Sequence, residues 1–105
     1  MQSDQPDPKE DLKQATALKY DLQGERSPEI VATGSGELAE EIVRVAQESE
    51  VPVYRDPSLA KALGQLELGS SVPEELYKAV AEVLVFVYSL DQAHKKEIEM
   101  VLEDF

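Results

Sequence analysis

The chain has no cysteine, no tryptophan and no asparagine among its 105 residues. Without cysteine, disulfides, thiol nucleophiles and cysteine-ligated metal centres are excluded. The absence of cysteine also fits the reducing cytosol. No apolar run approaches the roughly 20 residues that a membrane-spanning helix needs, and the polar, acidic start is unlike a secretory signal. Length and these absences together predict a single soluble, cytoplasmic domain.

Charge of one sign dominates the composition. Acidic residues outnumber basic ones by 22 to 10, which gives a net charge of −12. Such a surface repels both a phosphate backbone and an anionic membrane, so neither nucleic acid nor direct membrane insertion is expected. The excess of negative charge favours either high solubility or basic protein partners, and composition alone leaves both open.

Local patterns predict a small α/β domain: a four-stranded sheet with a βαβ unit, covered by three to four helices. Residues 1–14 carry little apolar surface and are predicted to be a flexible acidic arm. Period-two alternation predicts a strand over 15–21, and short apolar runs predict two more over 29–33 and 51–55. Residues 65–68 are the expected fourth strand. The second and third strands flank a helix and should therefore run parallel.

Three helices are predicted from capping signals and apolar spacing. The first follows Ser35, a candidate N-cap, and its core face is expected to comprise Leu38, Ile42, Val45 and Ala46. The second follows Asp56-Pro57, where Asp caps the helix and Pro occupies its first position. The third follows the capping-box pattern at 71–74 and runs through residue 88. Because this last helix is apolar on all sides, it is expected to be the most buried element.

Residues 91–105 are predicted to be a C-terminal helical extension of the domain at 15–90. Ile98, Val101, Leu102 and Phe105 recur at helical spacing. Such an amphipathic helix would either lie in a partner's groove or pack on its own domain, and the spacing does not choose between the two.

No group of residues predicts a catalytic or metal site. The segment TGSGE at 33–37 lies where phosphate loops occur, but it lacks the lysine and the glycine spacing of such loops, which favours a simple tight turn. The carboxylates fall on polar helix faces, whereas acid–base catalysis needs a carboxyl group in a pocket with a shifted pKa. His94 is the only histidine and has no pattern of co-ligands. We therefore expect a protein that is not an enzyme and uses no cofactor or metal.

Three segments, in order, resemble the cytoplasmic domain of the FlhB-type switch proteins of flagellar and type III secretion. ATALKYD at 15–21 is similar to the strand that follows the cleavage site in that family. The run 28–63 resembles the family pattern PxVVAKGxxxLAxxIxxxAxxxxVPVxxxxxLAxAL, and 72–88 resembles IPxELYxAVAEVLAxVY. The resemblance implies a small α/β domain. It also implies protein partners in flagellar export: the cytoplasmic parts of the export gate and switch protein, and export substrates.

The same resemblance implies that a self-cleavage motif has been lost. Members carry four transmembrane helices before this domain and cleave themselves in an Asn-Pro-Thr-His loop just ahead of the first strand. Counting back without a gap, those positions are Glu10, Asp11, Leu12 and Lys13. The family's reaction uses the asparagine amide nitrogen to attack its own carbonyl carbon, and a carboxylate has no such nitrogen. The resemblance therefore points to a free-standing paralogue of the FlhX or YlqH-like type that does not cleave itself.

The function implied is that of a soluble, non-enzymatic component or modulator of flagellar export, cytoplasmic and close to the export apparatus at the inner membrane. Two regions are expected to contact partners. One is the degenerate loop at 10–13, and the other is the strand-to-helix corner formed by Tyr54, Arg55, Asp56 and Pro57. The alternative is an acidic soluble adaptor that keeps this fold in a pathway unrelated to flagella.

Overall fold

The computed structural model describes residues 13–21, 27–88 and 97–105, and these residues form four strands and three α-helices. The strands are β1 (Gln14–Asp21), β2 (Glu29–Ser35), β3 (Val53–Arg55) and β4 (Glu97–Glu103). The helices are α1 (Glu37–Glu48), α2 (Pro57–Gly64) and α3 (Tyr77–Tyr88), the last preceded by a short 3-10 turn, Glu74–Leu76. The predicted small α/β fold is confirmed.

The four strands form one mixed sheet in the order β2-β1-β4-β3. β1 pairs antiparallel with both β2 and β4, and β3 pairs parallel with β4. It follows that β2 and β3 run in the same direction, as predicted, although two other strands separate them.

The largest difference from prediction lies at residues 97–105. The expected helical extension is wrong there, because Glu97–Glu103 forms β4, a central strand. Ile98, Met100 and Leu102 occupy alternate positions, as a strand with two unlike faces requires. The apolar residues of this segment also fit helical spacing, but β4 pairs with a strand on each side. Such pairing outweighs the local preference for a helix. Residues 91–96 lie outside the described residues, and 65–68, the expected fourth strand, form a turn after α2.

Helices cover both faces of the sheet. On one face α2 and α3 pack against apolar side chains of three strands, including Leu18, Ile30 and Leu102. On the other face α1 alone covers a smaller cluster centred on Ala15 and Val101. β4 contributes to both clusters, so it is the strand on which the two halves of the core meet.

Helix α1 approaches the sheet through alanines. Ala39 and Ala46 are buried, whereas Leu38 and Val45 are 51% and 47% exposed. The predicted core face was therefore wrong for Leu38 and Val45 and right for Ala46. The small side chains of Ala39 and Ala46 allow the helix to lie close to the sheet. With the alanines facing the sheet, Leu38 and Val45 face solvent.

The turn from β2 into α1 depends on glycine. Gly36 is the N-cap residue with φ of 64°, and no side chain caps the helix. An L-residue with a side chain rarely adopts this conformation. Ser35 ends β2 instead, so its predicted capping role is wrong, while the tight turn predicted for TGSGE is confirmed. The Gly36 N–H donates to the Lys13 carbonyl at 2.8 Å, which ties the turn to the start of β1.

Helix α2 begins as predicted. The Asp56 Oδ1 atom accepts a hydrogen bond from the Leu59 N–H at 3.1 Å, and Pro57 occupies the first turn. The helix buries Leu59, Ala60 and Leu63 against the sheet.

Helix α3 is correctly predicted as a helix, but it is not the most buried element. Val80 and Val83 are buried, whereas Val85 is 72% exposed and Phe86 is 50% exposed. The capping box is also wrong, since Ser71 bridges to the start of β2 and the 3-10 turn begins after Pro73. Among the described residues no helix combines the length and the apolarity needed to cross a bilayer.

We predict that Leu102→Ala destabilises the domain by about 2–5 kcal/mol, because it opens a cavity in the central strand. Leu102 is fully buried between the sheet and its helices. Urea denaturation followed by circular dichroism measures the change.

The matched control is Leu68→Ala, which removes the same atoms from a side chain that is 66% exposed. Its free energy of unfolding should change by no more than about 0.5 kcal/mol. Equal losses from the two variants would contradict the placement of β4 at the centre of the sheet.

A second prediction concerns the start of α2. Asp56→Ala removes the acceptor for the Leu59 N–H and should lower the free energy of unfolding by about 1 kcal/mol. Asp56→Asn keeps an oxygen acceptor and should remain close to the original stability. If thermal melting shows equal damage from both substitutions, the capping bond is not the cause.

Candidate functional site

Lys13, the described member of the degenerate loop, and the corner at 54–57 lie at the same end of the sheet. β1 begins at Gln14, and its antiparallel neighbour β4 ends at Glu103, opposite Ala15. β3 runs parallel to β4 and ends at Arg55, opposite Glu103. The first residues of β1 and the last residues of β3 and β4 are therefore neighbours. We call this surface, formed by residues 13–14, 54–57 and 103–105, the sheet-end surface.

Lys13 is the described member of the degenerate cleavage loop. Its Nζ lies 2.8 Å from Glu40 Oε1 on α1 and 5.0 Å from the centre of the Phe105 ring. The ion pair is half exposed, so it contributes little to stability, but it holds the lysine head over the aromatic ring. Glu10, Asp11 and Leu12 lie outside the described residues.

Arg55 joins the corner to the end of β4. Its Nε donates to the Phe105 carbonyl oxygen at 2.6 Å, and the side chain is exposed. A guanidinium carries five N–H donors, and the terminal Nη atoms make no hydrogen bond with the described residues. With respect to the described residues, Arg55 therefore keeps its terminal donors available, on a protein whose net charge is −12.

The other three predicted corner residues make contacts within the domain. Tyr54 is partly buried, and its ring lies 5.4 Å from that of Phe86. The Asp56 N–H donates to the Glu103 carbonyl at 3.0 Å, while its carboxylate caps α2. Pro57 starts that helix. These residues fix the position of Arg55 at the rim.

Sequence reasoning missed the contribution of residues 103–105. The Glu103 carboxylate accepts the Phe105 N–H at 2.7 Å, and Asp104 exchanges two bonds with Gln14. In those bonds the Gln14 N–H donates to Asp104 Oδ1 at 2.7 Å, and the Asp104 N–H donates to the Gln14 carbonyl at 3.2 Å. The available signal was the alternation of acidic and apolar residues from Glu97 to Met100, which indicates a strand.

The sheet-end surface presents groups that can bind a partner. It offers the cations Lys13 and Arg55 and an aromatic ring, together with the carboxylates of Asp56, Glu103 and Asp104, which already accept hydrogen bonds within the domain. Among the residues that the structure describes, no group of three or more histidine, aspartate and glutamate side chains is placed to hold a metal. His94 lies outside those residues. That the protein is not an enzyme stays a prediction.

An open apolar groove beside α3 was not predicted. It has a volume of about 440 Å³, and uncharged side chains line it: Tyr20, Ser27, Pro28, Tyr77, Val80, Ala81, Leu84 and Val85. An exposed apolar surface of this kind marks a protein contact more often than an accident of folding. The sequence signal was the apolar run at 83–88, which was interpreted as burial. We call this surface the α3 groove.

Comparison with known proteins identifies the chain's relatives. A model of the FlhB HrpN YscU SpaS Family matches residues 12–87. The uncharacterized protein YlqH of Bacillus subtilis is 36% identical over 86 residues, which cover 82% of this chain and 92% of YlqH. The flagellar biosynthetic protein FlhB of B. subtilis is 43% identical over 79 residues, and that of Aquifex aeolicus is 42% identical over 74.

The extent of the matches differs between the two kinds of relative. The chain spans nearly the whole of YlqH. It spans only 22% of the B. subtilis FlhB and 21% of the A. aeolicus FlhB. A family model that covers residues 12–87, which include β1, β2, α1, β3, α2 and nearly all of α3, establishes the relationship: the chain belongs to the FlhB HrpN YscU SpaS family.

Proposed function

We propose that this chain is a non-enzymatic component or modulator of the flagellar type III protein export apparatus. The observation that carries the proposal is the family match over residues 12–87, most of the folded domain, together with matches to FlhB proteins named for flagellar biosynthesis. In this role it acts in the cytoplasm beside the export apparatus. It binds the cytoplasmic parts of the export gate and of the membrane-bound switch protein.

The sheet-end surface supports the proposal because it brings Lys13, from one predicted contact region, close to the other region at 54–57. Lys13 and Arg55 are brought to the same rim by the pairing of β1, β4 and β3. Both are exposed cations on a strongly acidic protein. A partner presenting carbonyl groups fits Arg55, since arginine forms short, directional bonds to oxygen acceptors, and the carboxylates of Asp56, Glu103 and Asp104 at the same surface favour basic side chains around that contact.

The α3 groove supplies apolar contact area close to the other end of β1. The described residues that line it carry no charge, and among all described residues Val85 on its rim is the most exposed large apolar side chain. Interfaces typically combine an apolar patch with polar contacts around it. The proposed export partner would therefore meet a charged rim and an apolar groove on one domain.

We predict that Arg55→Ala weakens binding to the export partner about tenfold. A hydrogen bond to a charged group contributes about 1.5–3 kcal/mol, and about 1.4 kcal/mol corresponds to a factor of ten in Kd. The measurement is titration of the purified chain with the cytoplasmic part of the switch protein and, separately, of the export gate.

Arg44→Ala is the matched control. It makes the same substitution with the same change in net charge, but Arg44 pairs with Glu41 and Glu48 on the outer face of α1. It should bind as the unmodified chain does. Equal loss in both variants would attribute binding to overall charge. If the unmodified chain binds neither protein, the export role fails and the adaptor alternative is favoured.

We further propose that the chain does not cleave itself. Glu10 and Asp11 stand where the resemblance places the Asn-Pro pair, and the chain contains no asparagine. We predict that the purified protein keeps its full mass of 11.6 kDa after prolonged incubation, as measured by mass spectrometry. Fragments produced by a cut between residues 10 and 14 would refute this.

A variant that combines Glu10→Asn, Asp11→Pro, Leu12→Thr and Lys13→His tests the chemical reason. It restores an amide nitrogen that can attack the adjacent carbonyl carbon, with the proline nitrogen leaving as the peptide bond breaks. Appearance of the two expected fragments from this variant alone would assign the loss of cleavage to these four positions. Stable variant protein would show that other residues also block the reaction.

A further inference from the structure

The central strand of the sheet lies outside the segment that the family model matches. The family model matches residues 12–87, and β4 begins at Glu97. The matched segment therefore contains β1, β2 and β3 but not the strand between β1 and β3. This is unexpected, because a central strand is normally among the most essential parts of a shared fold.

The three matched strands do not form the observed sheet without a fourth. Within the described ranges β3 pairs with β4 alone, and β1 reaches β3 only through β4. β4 also buries Ile98, Met100, Val101 and Leu102 in the two clusters of the core. A relative that folds the matched segment in this way must fill the same position with residues from elsewhere. The FlhB relatives have ample sequence for this, because the match covers about a fifth of their length.

The geometry of this position admits a strand that directly precedes β1 as well as one that follows α3. β4 runs antiparallel to β1, and its end adjoins the beginning of β1: Glu103 lies opposite Ala15, and Asp104 exchanges two hydrogen bonds with Gln14. Antiparallel neighbours whose adjacent ends are joined by a short loop make a β-hairpin. A strand that directly precedes β1 in sequence would therefore enter this position in the same direction as β4.

We propose that the gap between β1 and β3 is a strand-binding site that longer FlhB relatives fill with the segment ahead of β1, and that this chain fills with β4 from behind α3. The domain is then a circularly permuted form of the family's domain. The strand that fits must carry apolar residues at alternate positions facing α2 and α3, as Ile98, Met100 and Leu102 do. It must also lack proline, because both of its edges are paired.

The importance of this permutation for partner binding rests on the proposed function in export. A component that completes its own sheet presents the family's export surface as a single covalent unit. Residues 103–105, at the end of the permuted strand, also form part of the sheet-end surface. The permutation thus supplies both the centre of the core and one side of the candidate contact surface.

The test is a rearranged chain that keeps every residue, in the order 1–9, 97–105, 10–96. Lys19→Cys and Glu99→Cys are added to both the original and the rearranged chain. These two positions face each other directly across β1 and β4, and the absence of native cysteine leaves no competing thiol. We expect the rearranged chain to form the same intramolecular disulfide and to melt within about 5 °C of the original.

Two controls make the result specific. Lys19→Cys with Asp104→Cys places the thiols five residues apart along the ladder, roughly 17 Å at strand spacing, which is beyond disulfide reach, so no bond should form. Met100→Asp with Leu102→Asp in the moved strand should abolish cooperative melting. A second rearranged chain with a short Gly-Ser insertion before Glu10 removes any strain in the new loop.

The proposal is overturned if neither rearranged chain folds cooperatively while the original does, or if the disulfide forms only in the original order. It is also overturned if a folded rearranged chain forms the disulfide with the Lys19→Cys and Asp104→Cys pair but not with the Lys19→Cys and Glu99→Cys pair, because the strand would then occupy a different register. No export protein enters this experiment, so its failure and a failure of partner binding are distinguishable.

Discussion

The pairing of β4 with β1 on one side and with β3 on the other is the interaction on which the rest of the structure depends. β1 and β2 form a hairpin-like pair, and β3 is a three-residue strand with one neighbour in the described sheet. β4 joins them and places buried side chains in the clusters on both faces. Without it, α1 on one face and α2 with α3 on the other would cover an incomplete sheet, and each would lose part of its contact surface.

The same register builds the candidate contact surface. Because Glu103 lies opposite both Ala15 and Arg55, the chain segments that follow and precede these residues converge at one end of the sheet. Phe105 then contacts Lys13 through its ring and Arg55 through its carbonyl oxygen. The surface is thus a consequence of strand pairing, and its geometry depends on β4 being in the correct register. A change that displaces β4 would therefore both destabilise the core and alter the sheet-end surface.

Several structural features that depend on neighbouring residues in the sequence were predicted correctly. Several that depend on contacts between distant residues were not. The Asp56-Pro57 start of α2 and the alternation in β1 are local, and both were predicted correctly. β4 was missed because its apolar residues satisfy helical spacing as well, and only its pairing partners, far earlier in the sequence, settle the question. Likewise Lys13 and Arg55 were selected separately, and their shared location follows from the sheet order. Helix α1 faces the sheet with Ala39 and Ala46 because these small side chains allow a close approach. The spacing of apolar residues in the sequence does not reveal how closely a helix approaches a sheet.

The permuted strand and the missing asparagine are consistent with each other. If β4 fills the central position from behind α3, it is attached to the domain through residues 89–96 and not through the segment ahead of β1. A break near Glu10 would then cut none of the described strands, since the first of them begins at Gln14. Cleavage at that point would neither release a strand nor alter the sheet-end surface beyond Lys13. Where a strand ahead of β1 belongs to the sheet, a cut at an Asn-Pro pair divides the sheet between two chains, and for the sheet described here that consequence does not arise.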